Sequence, residues 1–146
     1  ETVTEPDLIV LAGYRRRLGP MAMRKYKDRI LNLYPGDTLK PYLIRGVEAC
    51  VQALRAGETS IKATVFLARQ GERFGAVVAQ SRPISLEGFK EDDVEEMGRK
   101  IRVEGEHVLL PYVVHKLIAR GRVAVDSEGL VYIDGVRMPK WGFQLG

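Results

Sequence analysis

At 146 residues, 45% hydrophobic and 29% charged, the chain can bury the core of one domain and reads as soluble and globular. No apolar run approaches the roughly 18 to 20 residues of a membrane span. Its only cysteine, Cys50, excludes an internal disulfide, and with just His107 and His115 beside it no structural zinc site or other metal is expected. The formal charge of +4 permits phosphate-bearing partners without requiring them.

Asp7 to Ala12, "DLIVLA", is a continuous apolar run closed by Gly13, the pattern of a strand buried on both faces of a parallel sheet. Pro20 suits the first position of a helix running to about Asp28. Ile30 to Asn32 is a second short buried strand. Gly46 to Ala56 has helical spacing, with Gly57 as its stop. Ile61 to Ala68 and Ala76 to Arg82 read as an antiparallel pair joined through "RQGERFG". Asp92 to Arg120 is helical but contains Gly105 and Pro111, so two helices or one kinked helix are expected. The tail "RVAVDSEGLVYIDGVRMP" alternates like a hairpin, with turns at Ser127-Glu128-Gly129 and Asp134-Gly135. The order βαβ, helix, two strands, long helix, hairpin predicts an α/β fold. Two or three central strands make a poor sheet alone, so a preceding segment, a second chain or a homo-oligomer is expected to complete it.

Asn32 is the only asparagine in the chain, against 42 charged residues. Amide-poor, charge-rich composition is a thermophile trait, and a residue used once invites a functional reading. The alternative is that Asn32 closes the turn before Pro35. "PDLIVLAGYRRRLGP", "RILNLYP", "VVAQSRPI" and "EHVLLPYVVHKLIARGRV" stand in that order. Together they resemble the phosphoribosylglycinamide formyltransferases, a folate-dependent family. The resemblance covers essentially the whole chain but only the later part of the family's domain. It implies a Rossmann-like sheet, mostly parallel, with flanking helices and a C-terminal hairpin. Residues 1–146 then form a single formyltransferase-like domain without the family's N-terminal phosphate-loop half.

The resemblance further implies transfer of a formyl group from 10-formyltetrahydrofolate to the amine of glycinamide ribonucleotide, in purine synthesis. Such chemistry needs a donor for a tetrahedral oxyanion and groups that move a proton off the attacking amine. Asn32 falls on the family's catalytic asparagine. Tyr34 stands where the family has histidine; it is a hydrogen-bond donor or a packing aromatic, and a poor base at neutral pH. The family's aspartate falls on Arg73 by direct count and on Glu72 with a one-residue slip. The catalytic candidates are therefore Asn32, Tyr34 and Glu72, with Arg73 as an anion holder. The loop "PGDTLKPY" is about three residues longer than the family's equivalent.

Tyr14, Arg15, Arg16, Arg17 and Leu18 match the segment that lines the family's pterin pocket, although three consecutive arginines also suit a solvated face. Leu11, Ala12 and Gly13 fall where the backbone approaches the ribonucleotide. Glu106 matches the glutamate that binds the ribose hydroxyls, and His107 beside it is read as structural. Val103 replaces a lysine of some relatives, for which Arg102 is a substitute. Residues 14–29 hold seven Arg or Lys, but no base-stacking or DNA-binding motif accompanies them, so a nucleic-acid partner is not expected. The expectation is a cytoplasmic formyltransferase with altered acid–base residues and a small-molecule substrate. The alternative is an inactive homologue that keeps a nucleotide or folate pocket.

Overall fold

The computed structural model describes residues 5–12 and 18–146. Ten short strands and four α-helices alternate along them. The main sheet has the order β1 (Ile9–Leu11), β2 (Ile30–Tyr34), β4 (Thr64–Leu67), β5 (Val77–Gln80) and β10 (Phe143–Gln144). Its outer pairings, β1 with β2 and β5 with β10, are parallel. Its inner pairings, β2 with β4 and β4 with β5, are antiparallel. The α/β class, flanking helices and C-terminal hairpin follow expectation, but the sheet is mixed rather than mostly parallel. The short link between β4 and β5 allows only antiparallel neighbours, because a parallel pair needs a crossover of about a dozen residues or more.

Among the described residues, the strand expected to be buried on both faces lies at the margin of the sheet. β1 pairs only with β2 among the described residues, and Val10 is 37% exposed. An apolar run reports hydrophobicity but not which neighbours arrive to cover it.

Local signals placed the helices well. In α1 (Pro20–Lys25) the proline occupies the first turn, where its missing N–H costs nothing. α2 (Ala49–Arg55) ends as Gly57 takes φ +82°. The N–H of Gly57 then reaches Leu54 O and that of Glu58 reaches Ala53 O, closing a Schellman motif. α3 (Val94–Ile101) and α4 (His107–Pro111) are not separated by a break. π-helical turns over Arg102–Glu106 and Tyr112–Ile118 continue the helical path on either side of α4. Widening to i→i+5 pairing accommodates the donor lost at Pro111 without unwinding the segment.

Leu109, Val113 and Leu117 of that segment are fully buried against Leu31, Val65, Leu67 and Val78 of the sheet. The C-terminal hairpin closes the same core with Val131 and Ile133 of β8 (Val131–Ile133), which pairs with β7 (Val123–Val125) and β9 (Val136–Arg137). Its second turn has Asp134 at φ 53° and Gly135 at φ 77°, the mirror-image turn that strand twist favours. A second core joins α2 to Met97 and Ile101 of α3 and to a two-strand ribbon of β3 (Ser60–Ile61) with β6 (Ile84–Ser85). The N-terminal end of α2 lies close to the end of β2, where a Cβ at Gly36 would stand 2.8 Å from the Cβ of Ala49.

Candidate active site

Side chains alternate faces along β2, so Leu31 enters the helix-covered core while Asn32 and Tyr34 emerge on the opposite face. The sheet register builds on this. Asn32 lies beside Leu11 of β1 and beside Phe66 of β4, and these three residues form one row on the wall of a cavity of about 770 Å³. Tyr34 and Pro35 at the strand end, the segment Arg45 to Ala49, and the β4–β5 connection from Ala68 to Phe74 complete most of the remaining wall.

Asn32 is half-buried. Its Oδ1 accepts the N–H of Leu33 at 2.8 Å, while its Nδ2 has no hydrogen-bond partner among the described residues. One end of the carboxamide is anchored and the donor end is free beside the cavity. Tyr34 packs on Phe74 with ring centroids 4.8 Å apart, and Phe74 meets Phe66 edge-on at 5.6 Å. Burial pushes the Tyr34 phenol above its ordinary range. The Arg73 guanidinium pulls it down, and Glu48 and Cys50 push it up. At neutral pH Tyr34 is therefore an O–H donor, not a base.

Glu72 lines the cavity from an exposed turn in which its N–H donates to Arg69 O. Arg73 also lines it, lies over the Phe74 ring at 4.6 Å and donates to Leu43 O at 3.2 Å. Arg69 is engaged elsewhere, with Asp28 at 3.1 Å and the carbonyl of Gly129 at 2.6 Å. Leu11 and Leu18 line the cavity, whereas Ala12 is exposed and does not. Gly13, Tyr14, Arg15, Arg16 and Arg17 lie outside the described residues.

Two cavity residues had no sequence signal: Arg45 and Glu48. Glu48 precedes the first residue of α2 and makes no capping hydrogen bond. A carboxylate just before a helix is indistinguishable in sequence from an ordinary acidic first turn, so only the folded loop reveals that it lines the same cavity as Tyr34.

Glu106 stands apart. It sits on the π-helical turn after α3, is not a lining residue of the cavity, and is half-buried. Burial raises its carboxyl pKa against the opposing pull of Arg102 and His107. A raised folded-state value means the folded protein holds its proton at pH values where the unfolded chain has released it. Stability is then lost as pH climbs from the unfolded value through the folded one. Glu106→Gln should accordingly raise the urea midpoint at pH 7, with the gain vanishing in acid. An equal gain at both pH values would refute the burial penalty.

The formyl transferase family matches residues 2–114. The curated phosphoribosylglycinamide formyltransferase of Haemophilus influenzae is 35% identical over 138 residues, which is 94% of this chain and 60% of that protein. Its counterpart from Escherichia coli is 30% identical over 138 residues, again 94% of this chain and 61% of that protein. A solved phosphoribosylglycinamide formyltransferase structure from Coxiella burnetii superposes with a TM-score of 0.75 at 27% identity, covering 97% of this chain and 62% of that one. The chain thus spans about three-fifths of the length of the curated relatives it matches. With most of its length matched and the fold shared, this chain belongs to the formyl transferase family.

Proposed function

We propose that the protein moves a formyl group from 10-formyltetrahydrofolate to the primary amine of glycinamide ribonucleotide, using altered acid–base residues. One observation carries the reading: Asn32, whose Nδ2 has no hydrogen-bond partner among the described residues, lines a cavity together with Tyr34, Glu48 and Glu72. The Asn32 amide and the Tyr34 hydroxyl suit an oxyanion developing on the formyl oxygen, where fixed hydrogen bonds are worth more than in water. The apolar walls supplied by Leu11, Leu18, Met23, Val47 and Phe66 suit a flat heterocycle. Glu72 is the carboxylate that the resemblance offers for the proton. Residues 1–146 act as one formyltransferase-like unit in this reading.

The departures at Tyr34 and Arg73 favour a second reading, a homologue that binds nucleotide or folate without catalysis. Incubation with labelled 10-formyltetrahydrofolate and glycinamide ribonucleotide separates the two. Label in the ribonucleotide supports transfer. Saturable binding of the folate with no label moved supports the second reading and removes the first.

A further inference from the structure

The cavity holds a carboxylate better supported than Glu72. Gly36 is wedged between α2 and the Tyr34 ring: a Cβ placed there would stand 2.8 Å from the Cβ of Ala49 and 3.0 Å from Cε2 of Tyr34. Ala49 is therefore packed beside the phenol through Gly36, and Glu48 is the residue immediately before it. The backbone of Glu48 is fixed, since its carbonyl accepts the first helical bond, from the Gln52 N–H at 3.1 Å.

The approach to Glu48 is held from two sides. Gln52, 5% exposed, donates through Nε2 to Val47 O at 2.9 Å and Ile44 O at 3.2 Å, and its Oε1 accepts the Ile44 N–H. Arg73 reaches across from the β4–β5 connection to Leu43 O. Glu72 is exposed like Glu48, and its side chain likewise makes no hydrogen bond among the described residues. It sits, however, on a turn closed by one main-chain bond, to Arg69 O, whereas the Glu48 main chain is held by both α2 and the Gln52-anchored loop.

Resting on the formyl-transfer reading, we propose that Glu48 is the catalytic base and that Arg73, which aligns with the family's aspartate, is a positioning residue that clamps the loop presenting Glu48. As the amine nitrogen bonds to the formyl carbon, Glu48 takes one N–H proton. Asn32 Nδ2 and the Tyr34 hydroxyl hold the negative oxygen meanwhile. When the bond from that carbon to N10 of the folate breaks, Glu48 returns the proton to N10. One carbon–nitrogen bond forms, one breaks, and no electrons are gained or lost. The charged and titratable groups that line the cavity with Glu48 are Tyr34 of β2, Arg45 of its own loop, and Arg69, Glu72 and Arg73 of the β4–β5 connection, while Cys50 follows it on α2.

The test is the pH dependence of kcat for the wild type, Glu48→Gln, Glu72→Gln, Arg73→Gln and Arg73→Lys. Because Glu48 is exposed and makes no capping bond, the isosteric Glu48→Gln should fold normally, as a denaturation midpoint will verify. Its kcat should fall about 10²-fold, within the usual range for losing a general base, with each KM nearly unchanged and the acidic limb of the profile gone. Glu72→Gln should keep that limb. Arg73→Gln should lower kcat while keeping the limb, and Arg73→Lys should restore part of the loss. An active wild type whose Glu48→Gln variant keeps full kcat and its acidic limb overturns the Glu48 assignment alone. So does loss of the limb in Glu72→Gln instead. A wild type that binds the folate yet transfers nothing overturns the formyl-transfer reading, and the role of Glu48 with it.

Discussion

Asn32→Ala should lower kcat for formyl transfer by about 10²–10³-fold, equivalent to ~3–4 kcal/mol of barrier, while KM for either substrate changes little. The reason is geometric. The Oδ1 of Asn32 is tied to the N–H of Leu33, so its Nδ2 is pre-aimed beside the cavity and pays no reorganisation cost when charge develops. A donor that matters only once the formyl oxygen becomes negative acts on kcat, whereas one that merely bound substrate would act on KM. Asn32→Asp should be at least as damaging, because it replaces a donor with a second acceptor. Neither change removes core packing, for Ile30 and Leu31 carry the burial in that strand. Steady-state rates for correctly folded variants decide the matter. A fall confined to KM would reduce Asn32 to a binding contact, and no change in either constant would remove it from the site.

Among the glycines of the described residues, Gly75→Ala should be the most damaging single methyl for stability. A Cβ at Gly75 would lie 1.6 Å from the carbonyl oxygen of Leu67 and 2.9 Å from its carbon. Both are main-chain atoms, so no side chain can rotate away. Beside this contact the Leu67 N–H donates to Ala76 O at 2.8 Å, and the register of β4 against β5 already slips between Val65 and Phe66. Relief requires prising apart two strands whose Val65, Val77 and Val78 are buried. Main-chain collisions of this kind belong with the rare substitutions costing upwards of ~4 kcal/mol, a large part of the ~5–15 kcal/mol that holds a domain folded. With a urea slope of ~2 kcal/mol/M, the midpoint should drop by about 2 M. The loop carrying Arg73 and Phe74 leads directly into Gly75, so the Tyr34–Phe74 contact should loosen as well. An unchanged midpoint would mean that the strands yield cheaply, and the close packing inferred here would be wrong.

The site was legible in sequence to different depths. Asn32 stood out as a lone amide at a strand end, and Tyr34 came only from the resemblance, as the residue at the family's histidine position. The resemblance put Glu72 and Arg73 on the β4–β5 connection, where both line the cavity, but did not rank them against each other. Glu48 and Arg45 were invisible, because they enter the cavity through the fold of a long loop with no regular spacing. Glu106 was assigned by resemblance to the nucleotide, yet it is not among the residues that line the main cavity.

The chain's own order of residues determined everything that depends on a few neighbouring backbone angles. Pro20 starts a helix, Gly57 stops one, and Asp134-Gly135 turns a hairpin, since each preference is steric and local. Only the tertiary structure decided which elements meet. It set β1 parallel beside β2, split off the β3–β6 ribbon, brought β10 beside β5 and carried α2 to the end of β2. Those outcomes depend on pairings between distant residues, whose gains appear only after loop closure and burial are complete.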